Sequence, residues 1–226
     1  MAIAFVQSVN SVASGVTVIP LTTTATHTLL AGVALSDGDF VESITDSTQN
    51  RWIQASYASS TAGNLELWMA RGIQGGTASV TVTISNVSVG VGSDTYDSSD
   101  TYDSAYSYDG LDGGGSVSAG VNVSEWSGLP YASILDTWSQ NVGSGASVLP
   151  QTVAPRTTGD LIVTMSNSSA SVGGAHAGFT ALTIPGNTGY AMAYDILSGS
   201  VAPMTYQNTA ASAASARKIM AANQMW

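Results

Sequence analysis

A repeat in the middle of the chain carries the side chains best suited to binding an ion or a partner. The six residues Ser-Asp-Thr-Tyr-Asp-Ser occur at 93–98 and again at 99–104, and two further tyrosines follow at 106 and 108. Carboxylate oxygens are the ligands that Ca²⁺ prefers, whereas tyrosines among serines and glycines are typical of recognition loops. The segment therefore predicts either an ion site or a contact surface.

Three interpretations of this segment stay open. In a Ca²⁺ site, the ligands would be Asp94, Asp97, Asp100 and Asp103, although their spacing of three and the lack of a glutamate differ from an EF-hand loop. In a recognition loop, the rigid amphipathic contacts to a partner or glycan would be Tyr96, Tyr102, Tyr106 and Tyr108. In the third interpretation, the acidic loop is solvated and its tyrosines rest on the body of the protein.

Groups able to carry out acid–base or nucleophilic catalysis are scarce. The chain has no cysteine and no Gly-x-Ser-x-Gly pentapeptide, and its histidines are His27 and His176. We expect each histidine to face solvent or to make a single hydrogen bond. Glu66 and Glu125 could form the carboxylate pair of a glycoside hydrolase, but we expect each to point outward on its sheet face. The sequence thus favours a protein that is not an enzyme.

The tryptophans offer a second kind of binding surface. An aromatic face can stack on a sugar ring, but most of the five tryptophans lie in alternating strand patterns that predict packing in the core. Trp226 is the last residue of the sequence, and chain ends fray unless something holds them. We expect Trp226 to dock into its own sandwich or into a neighbouring copy, and so to be an oligomer contact.

The composition excludes several classes of partner. Charged residues make up only 9% of the chain, the net charge is −10, and five basic residues leave no stripe that could neutralise phosphates. No apolar run is long enough to cross a membrane, and the N-terminal residues lack the basic start of a secretory leader. We expect no nucleic-acid or membrane partner. Short hydroxyl side chains lose little entropy when covered, which favours assembly with copies of itself.

Short β-branched and aromatic runs bounded by turn residues predict an all-β fold of antiparallel strands. The clearest hairpin is predicted for 65–70 and 80–84, joined by Gly72, Gly75 and Gly76. We expect one β-sandwich domain over 1–226, with a Tyr/Asp/Gly-rich loop inserted at about 92–118. The strands are predicted at 3–9, 16–21, 29–35, 40–46, 52–57, 65–70, 80–84, 121–129, 134–139, 148–153, 161–165, 179–184, 190–197, 204–207 and 218–226.

The two halves of the chain echo each other. The apolar run at 29–36 and the strands within 63–86 have weak counterparts at 159–167 and 189–208. In each half an apolar run is followed by an aromatic strand, a turn with glycine and a threonine-rich strand. This order predicts a duplicated antiparallel sandwich.

Five segments of the first half resemble a known type of module. These are the apolar strand at 29–34, the turn and strand Ile44–Trp52 with its Thr-Asp-Ser turn, the aromatic strand at 65–70, Val-Thr-Val-Thr-Ile at 80–84 and the strand with Glu-Trp-Ser-Gly at 123–129. Together they are similar to jelly-roll-type β-sandwich modules of bacteriophage virion proteins and bacterial surface proteins. The resemblance covers roughly residues 16–226, and the Tyr/Asp insertion is not part of that pattern.

The resemblance implies a jelly-roll-like fold with a structural or binding role. We expect a non-enzymatic virion structural protein, a bacteriophage capsid decoration or fibre component that self-assembles on the particle surface. Its partners would be copies of itself and other virion proteins, and it would be extracellular after release of the particle. The alternative is a glycan-binding adhesin module that contacts a cell-surface glycan through the Tyr96–Tyr108 loop.

Overall fold

The computed structural model describes residues 2–36, 38–60, 63–86, 119–129, 135–144, 151–153, 159–168, 179–182, 190–197, 204–206 and 217–225. This part of the chain is all-β, with fifteen strands, antiparallel pairing throughout and no helix. The strands are β1 Ala4–Ala13, β2 Val16–Pro20, β3 Thr28–Leu35, β4 Asp39–Asp46, β5 Trp52–Ser60, β6 Gly63–Ala70, β7 Ser79–Asn86, β8 Ala119–Ser127, β9 Leu135–Ser144, β10 Gln151–Val153, β11 Leu161–Ser168, β12 Thr180–Leu182, β13 Tyr190–Ile196, β14 Met204–Tyr206 and β15 Arg217–Met225. Each predicted strand has a counterpart among them.

The first half of the chain forms two sheets. The central sheet has the order β1-β8-β3-β6-β5, and the outer sheet has the order β2-β7-β4. The second half forms the five-stranded opposing sheet, with the order β12-β13-β11-β15-β9, and a small sheet of β10 and β14. The predicted loop insertion at about 92–118 lies outside the described residues.

The central sheet is buried on both faces. Every residue of β3 is buried, and so is every residue of β8 except Ser127. Leu29 and its alternate neighbours pack into a first core with the outer sheet, whereas Leu30 packs into a second core with the opposing sheet. The two-layer sandwich predicted from the sequence therefore has too few layers, because a sheet covers each face of the central sheet. The unbroken apolar run of β3 was the signal of this burial, because strands covered on both faces do not alternate.

The first core lies entirely within the first half of the chain. It is rich in branched aliphatic side chains, since alternation along β7 points Val80, Val82 and Ile84 inward and leaves Thr81 and Thr83 on the other face. Apolar residues of β3 and β8 meet them from the central sheet. The predicted alternation of β7 is confirmed.

The predicted hairpin of β6 and β7 is wrong, because the two strands belong to different sheets. After Ala70 the chain crosses from the central sheet to the outer sheet. The crossing loop bonds to the loop before β3: Thr26 N–H donates to the Ile73 carbonyl at 2.8 Å, and Ile73 N–H donates to the His27 carbonyl at 3.0 Å. The glycines that suggested a tight turn serve this contact instead, since Gly75 lies against the backbone of Ala25.

The two halves share one strand order. Written from the opposite edge, the opposing sheet is β9-β15-β11-β13-β12, which matches β1-β8-β3-β6-β5 strand for strand along the chain. The small sheet of β10 and β14 corresponds in the same way to β2 and β7. Strand order thus agrees with the duplication that the sequence echo predicts.

The halves face each other with their strand orders reversed. Strand β5 lies against β9 and β15, β3 lies against β11, and β8 meets β13 where Trp126 packs edge-on against Tyr194 at 4.8 Å between ring centroids. Phe5 of β1 stacks on the same tyrosine at 5.3 Å. This is the arrangement expected of two copies related by a two-fold axis.

Candidate functional site

The residues predicted to bind an ion or a partner fall outside the described part of the chain. This holds for the four candidate Ca²⁺ ligands, Asp94, Asp97, Asp100 and Asp103, for the four loop tyrosines, Tyr96, Tyr102, Tyr106 and Tyr108, and for Trp226. His176 lies outside it as well. The ion site, the recognition loop and the docking of Trp226 remain predictions.

Glu125 is a buried carboxylate with three hydrogen-bond donors around it. It is fully buried on β8, and its oxygens accept hydrogen bonds from Gln7 Nε2 at 2.5 Å and Thr24 N–H at 2.8 Å. His27 Nδ1 lies 2.7 Å from Glu125 Oε1, and it donates, because a carboxylate oxygen only accepts. The prediction that Glu125 points outward is wrong. Its carboxylate ties β8 to β1 and to the loop before β3.

His27 makes a side-chain hydrogen bond, one of the two roles that the sequence predicted for it, but its partner was not foreseen. Its side chain is 18% exposed, while Glu125 is 0% exposed. The two residues are 98 positions apart, and only the packing of the loop over the end of the sandwich brings them together. Alternation along β8 did not reveal this, because both faces of the strand are covered.

Glu66 on β6 is also buried, so its predicted outward orientation is wrong. Its carboxylate accepts hydrogen bonds from Val41 N–H at 3.0 Å, Gln54 Nε2 at 2.8 Å and Trp68 Nε1 at 2.7 Å. These contacts tie the central sheet to β4 of the outer sheet.

The two buried glutamates do not form a glycosidase pair. On β3, Glu66 lies opposite Val33 and Glu125 opposite Leu29, so both point into the first core from strands that flank β3. The Cα atoms of the two glutamates are about 16 Å apart, because four residues along the strand and two strand spacings across the sheet lie between them. Glycoside hydrolysis needs carboxylates about 5 to 10 Å apart.

Asp46 closes the Thr-Asp-Ser turn after β4. Burial by itself would raise the pKa of this carboxyl, but hydrogen bonds from Asn50 N–H, Trp52 Nε1 and Thr48 together hold the pKa below its ordinary value. The indole bond measures 2.8 Å and the Asn50 N–H bond 3.1 Å. In the second half, burial raises the pKa of Asp195 although Ile196 N–H donates to it. The Asp46 turn is thus a structural clasp between β4 and β5.

Most of the exposed large apolar side chains of the first half lie on β1 and β2, whereas Phe40 and Tyr57 lie on β4 and β5. Strands β1 and β2 form the edges of the central and outer sheets on one side of the sandwich, joined by a turn at Gly15, whose φ is +65°. We call this side the β1–β2 edge and define it as Ala4–Ala13 with Val16–Pro20. Val16 and Val18 are 65% and 61% exposed. Val6 and Val12 are exposed as well.

The opposite edge of the outer sheet differs in charge. Strand β4 carries Asp39, Glu42 and Asp46, and Glu42 is exposed, accepting a 2.6 Å hydrogen bond from Ser85 Oγ. The chain contains no Asp, Glu, Lys or Arg before Asp37, so the β1–β2 edge is uncharged. Natural edge strands usually carry charge or proline that blocks pairing with another chain. Strand β1 has neither, and β2 has a proline only at its last residue, Pro20, so the β1–β2 edge is the candidate interaction surface of the described residues.

Within the described ranges, no three His, Asp or Glu side chains converge on a position that could hold a metal ion. In the same part of the chain, no helix has the length and apolar character that a membrane span requires.

Comparison with protein-family models, with curated proteins and with solved structures finds no match to this chain.

Proposed function

We propose that this chain is a non-enzymatic structural protein that assembles with copies of itself on the surface of a larger particle, as a bacteriophage capsid decoration or fibre component. The observation that carries the proposal is the uncharged β1–β2 edge with its exposed valines. On an acidic chain, such an edge is the surface that copies can cover without desolvating charge. The low overall charge supports the same interpretation.

The strand order supports a jelly-roll assignment for the first half, and the described strands of the second half follow the same order without a counterpart of β4. In a jelly roll numbered along the chain, two Greek keys place strands 1, 8, 3 and 6 in one sheet and strands 2, 7, 4 and 5 in the other. The central and outer sheets follow this order, except that β5 pairs with β6 instead of β4. We therefore propose a tandem pair of jelly-roll-like sandwiches, which agrees with the resemblance to virion and surface modules.

The test of assembly is native mass spectrometry and negative-stain imaging of the purified full chain over a range of concentrations. We expect discrete oligomers or fibres, and we expect Val18→Lys to weaken them because it places a charge on the edge. Thr45→Lys is the matched control, since Thr45 is exposed on the same cross-strand row, with Thr81 between it and Val18. A chain that stays monomeric at every concentration would contradict self-assembly.

A glycan array on the same preparation addresses the rival function. Selective sugar binding by a monomeric chain, lost in Tyr102→Ala with Tyr106→Ala, would replace the assembly proposal with an adhesin. Repeating the mass measurement with a chelator asks whether a divalent ion, bound by the aspartates of the repeat, contributes to the oligomer.

A further inference from the structure

Strand β1 has one open edge. Its partner on one side is β8, and in the described residues it is the end strand of the central sheet. Its ten residues contain no charge and no proline. The register slips between Phe5 and Gln7, where a bulge at Val6 interrupts pairing with β8, so the regular part of the strand runs from Gln7 to Ala13.

The sequence of β1 is nearly self-complementary. About a centre at Val9, an antiparallel copy of the regular part of the strand places Gln7 opposite Ser11 and Ser8 opposite Asn10, and brings Val6 at the bulge near Val12. Apolar residues then meet apolar residues, and polar residues meet polar ones. Val9 meets its own copy at the axis. Cross-strand pairs of matched character stabilise an antiparallel sheet.

From this symmetry, we infer that β1 pairs antiparallel with β1 of a second copy about a two-fold axis at Val9, joining two central sheets into one ten-stranded sheet. The inference deepens the proposed function, on which it rests, by naming the surface and the partner. A two-fold axis perpendicular to the sheet puts the same face of both central sheets on one side. The β2 strands of the two copies therefore lie on that side, close to the β1–β1 contact.

Charge favours β1 over the β4 edge as the surface that a second copy covers. The protein carries a net charge of −10, so copies repel wherever acidic residues meet. The β4 edge presents the exposed carboxylate of Glu42, whereas Asp39 and Asp46 of the same strand are buried. By contrast, β1 meeting β1 brings no charged side chain into the contact. An edge about 33 Å long and about 15 Å deep buries on the order of 1,000 Å² over both copies, the lower limit for a specific interface.

The register makes a sharp cross-linking test, because the chain has no cysteine of its own. Directly opposed residues of antiparallel strands have Cα atoms about 4.5 to 5.5 Å apart, which suits a disulfide. We expect Val9→Cys to form a cross-linked dimer under mild oxidation. Thr45→Cys, exposed on β4, is the control and should cross-link far more slowly.

A second pair of variants tests the register without touching the half-buried Val9. A mixture of Ser8→Cys and Asn10→Cys chains, distinguished by mass, should give mainly the mixed dimer, because Ser8 opposes Asn10 and neither opposes itself. Equal amounts of mixed and unmixed dimers would overturn the register. Asn10 is exposed, so Asn10→Lys places a charge in the proposed contact. We expect this variant to have half the native mass of the wild-type assembly.

The outcomes separate this inference from the proposed function. If the wild-type chain forms oligomers that Asn10→Lys leaves intact, and Val9→Cys cross-links no faster than Thr45→Cys, the β1 pairing is wrong while assembly through another surface stands. If the wild-type chain is monomeric throughout, the proposed function fails together with it. Circular dichroism and urea unfolding of each variant confirm that it is folded before its mass is compared.

Discussion

The two faces of the central sheet are covered by different chemistry. The first core, against the outer sheet, is aliphatic and is bordered by the buried carboxylates of Glu66 and Glu125, each with three hydrogen-bond donors. The second core, against the opposing sheet, contains Met69, Met165, Met192 and the Trp126–Tyr194 contact. Its described polar contacts include a 2.8 Å hydrogen bond from Trp126 Nε1 to Ser124 Oγ and a 3.4 Å hydrogen bond from Ser124 Oγ to the Leu30 carbonyl.

The two cores serve different contacts. The first holds together the sheets of one half, and the second joins the two halves. Directional bonds to a buried carboxylate admit one register, so they suit sheets that must always pack in the same way. Methionine adapts its shape to irregular gaps, so it suits the contact between the central sheet and the opposing sheet, which share a strand order but not a sequence. Gly32 fits the same account, because a Cβ there would lie 2.6 Å from Met192 Sδ.

Two neighbouring leucines on β3 offer the most direct comparison of the faces. Leu29 and Leu30 are both 0% exposed and point into the first and the second core respectively. We expect Leu29→Ala to lower the free energy of unfolding by about 4 kcal/mol and Leu30→Ala by about 2 to 3 kcal/mol, because flexible methionines can partly fill the second cavity. Urea unfolding of both variants measures the difference.

The matched pair also provides its own control, since the same strand and the same side-chain change are used twice. Equal losses, or a larger loss in Leu30→Ala, would show that the second core is packed as rigidly as the first. The distinction between the two faces would then be one of composition alone.

The second expected effect is the loss of the Glu125 clasp. Glu125→Ala leaves the Gln7 amide, the Thr24 N–H and the His27 imidazole without their acceptor, and we expect a loss of about 3 kcal/mol in the free energy of unfolding. His27→Ala should cost about 1 kcal/mol, because the carboxylate keeps two donors and the histidine is partly exposed. Similar losses in the two variants would show that the imidazole is the essential donor.

The smallest expected effect concerns pH and the Asp46 turn. Because the folded pKa of Asp46 is lowered, its contribution to stability is fully present above the unfolded value of about 3.9 and is lost as the pH falls through the folded pKa. The difference in stability between wild type and Asp46→Asn should therefore be larger at pH 7 than at pH 3. Asp195, whose pKa is raised, changes stability in the opposite direction, so only the difference between variants isolates Asp46.

Trp52→Phe sharpens the same comparison. It removes the indole N–H that donates to Asp46 at 2.8 Å but keeps an aromatic ring. The part of the stability that depends on ionised Asp46, and that is lost between pH 7 and pH 3, should therefore become smaller without disappearing. A difference between wild type and Asp46→Asn that is the same at both pH values would contradict a lowered pKa. Urea unfolding at the two pH values measures both variants.

The strands could be predicted because their signals are local. Alternation along β7 and the β-branched runs of β1 and β2 depend on neighbouring residues only, and all of these strands form where expected. The duplication was visible for the same reason, as a repeated order of strand types. Pairing was not visible: β6 and β7 are adjacent in sequence and share a glycine-rich connection, yet they belong to different sheets.

The candidate site, too, could be predicted from the sequence only in part. The uncharged composition of β1 and β2 can be found in the sequence, but whether these strands lie at an edge or inside a sheet depends on pairing over long distances. The outward orientation expected for Glu66 and Glu125 failed because it assumed that one face of the central sheet meets solvent.

Composition and local patterns predict a low-charge, all-β chain with two similar halves, because strand propensity and alternation are properties of short segments. Only the folded arrangement shows which strands are neighbours, that the central sheet is covered on both faces, and that Glu125 meets His27. These outcomes depend on contacts between residues far apart in the chain, where burial of a whole sheet face outweighs the preference of any single segment.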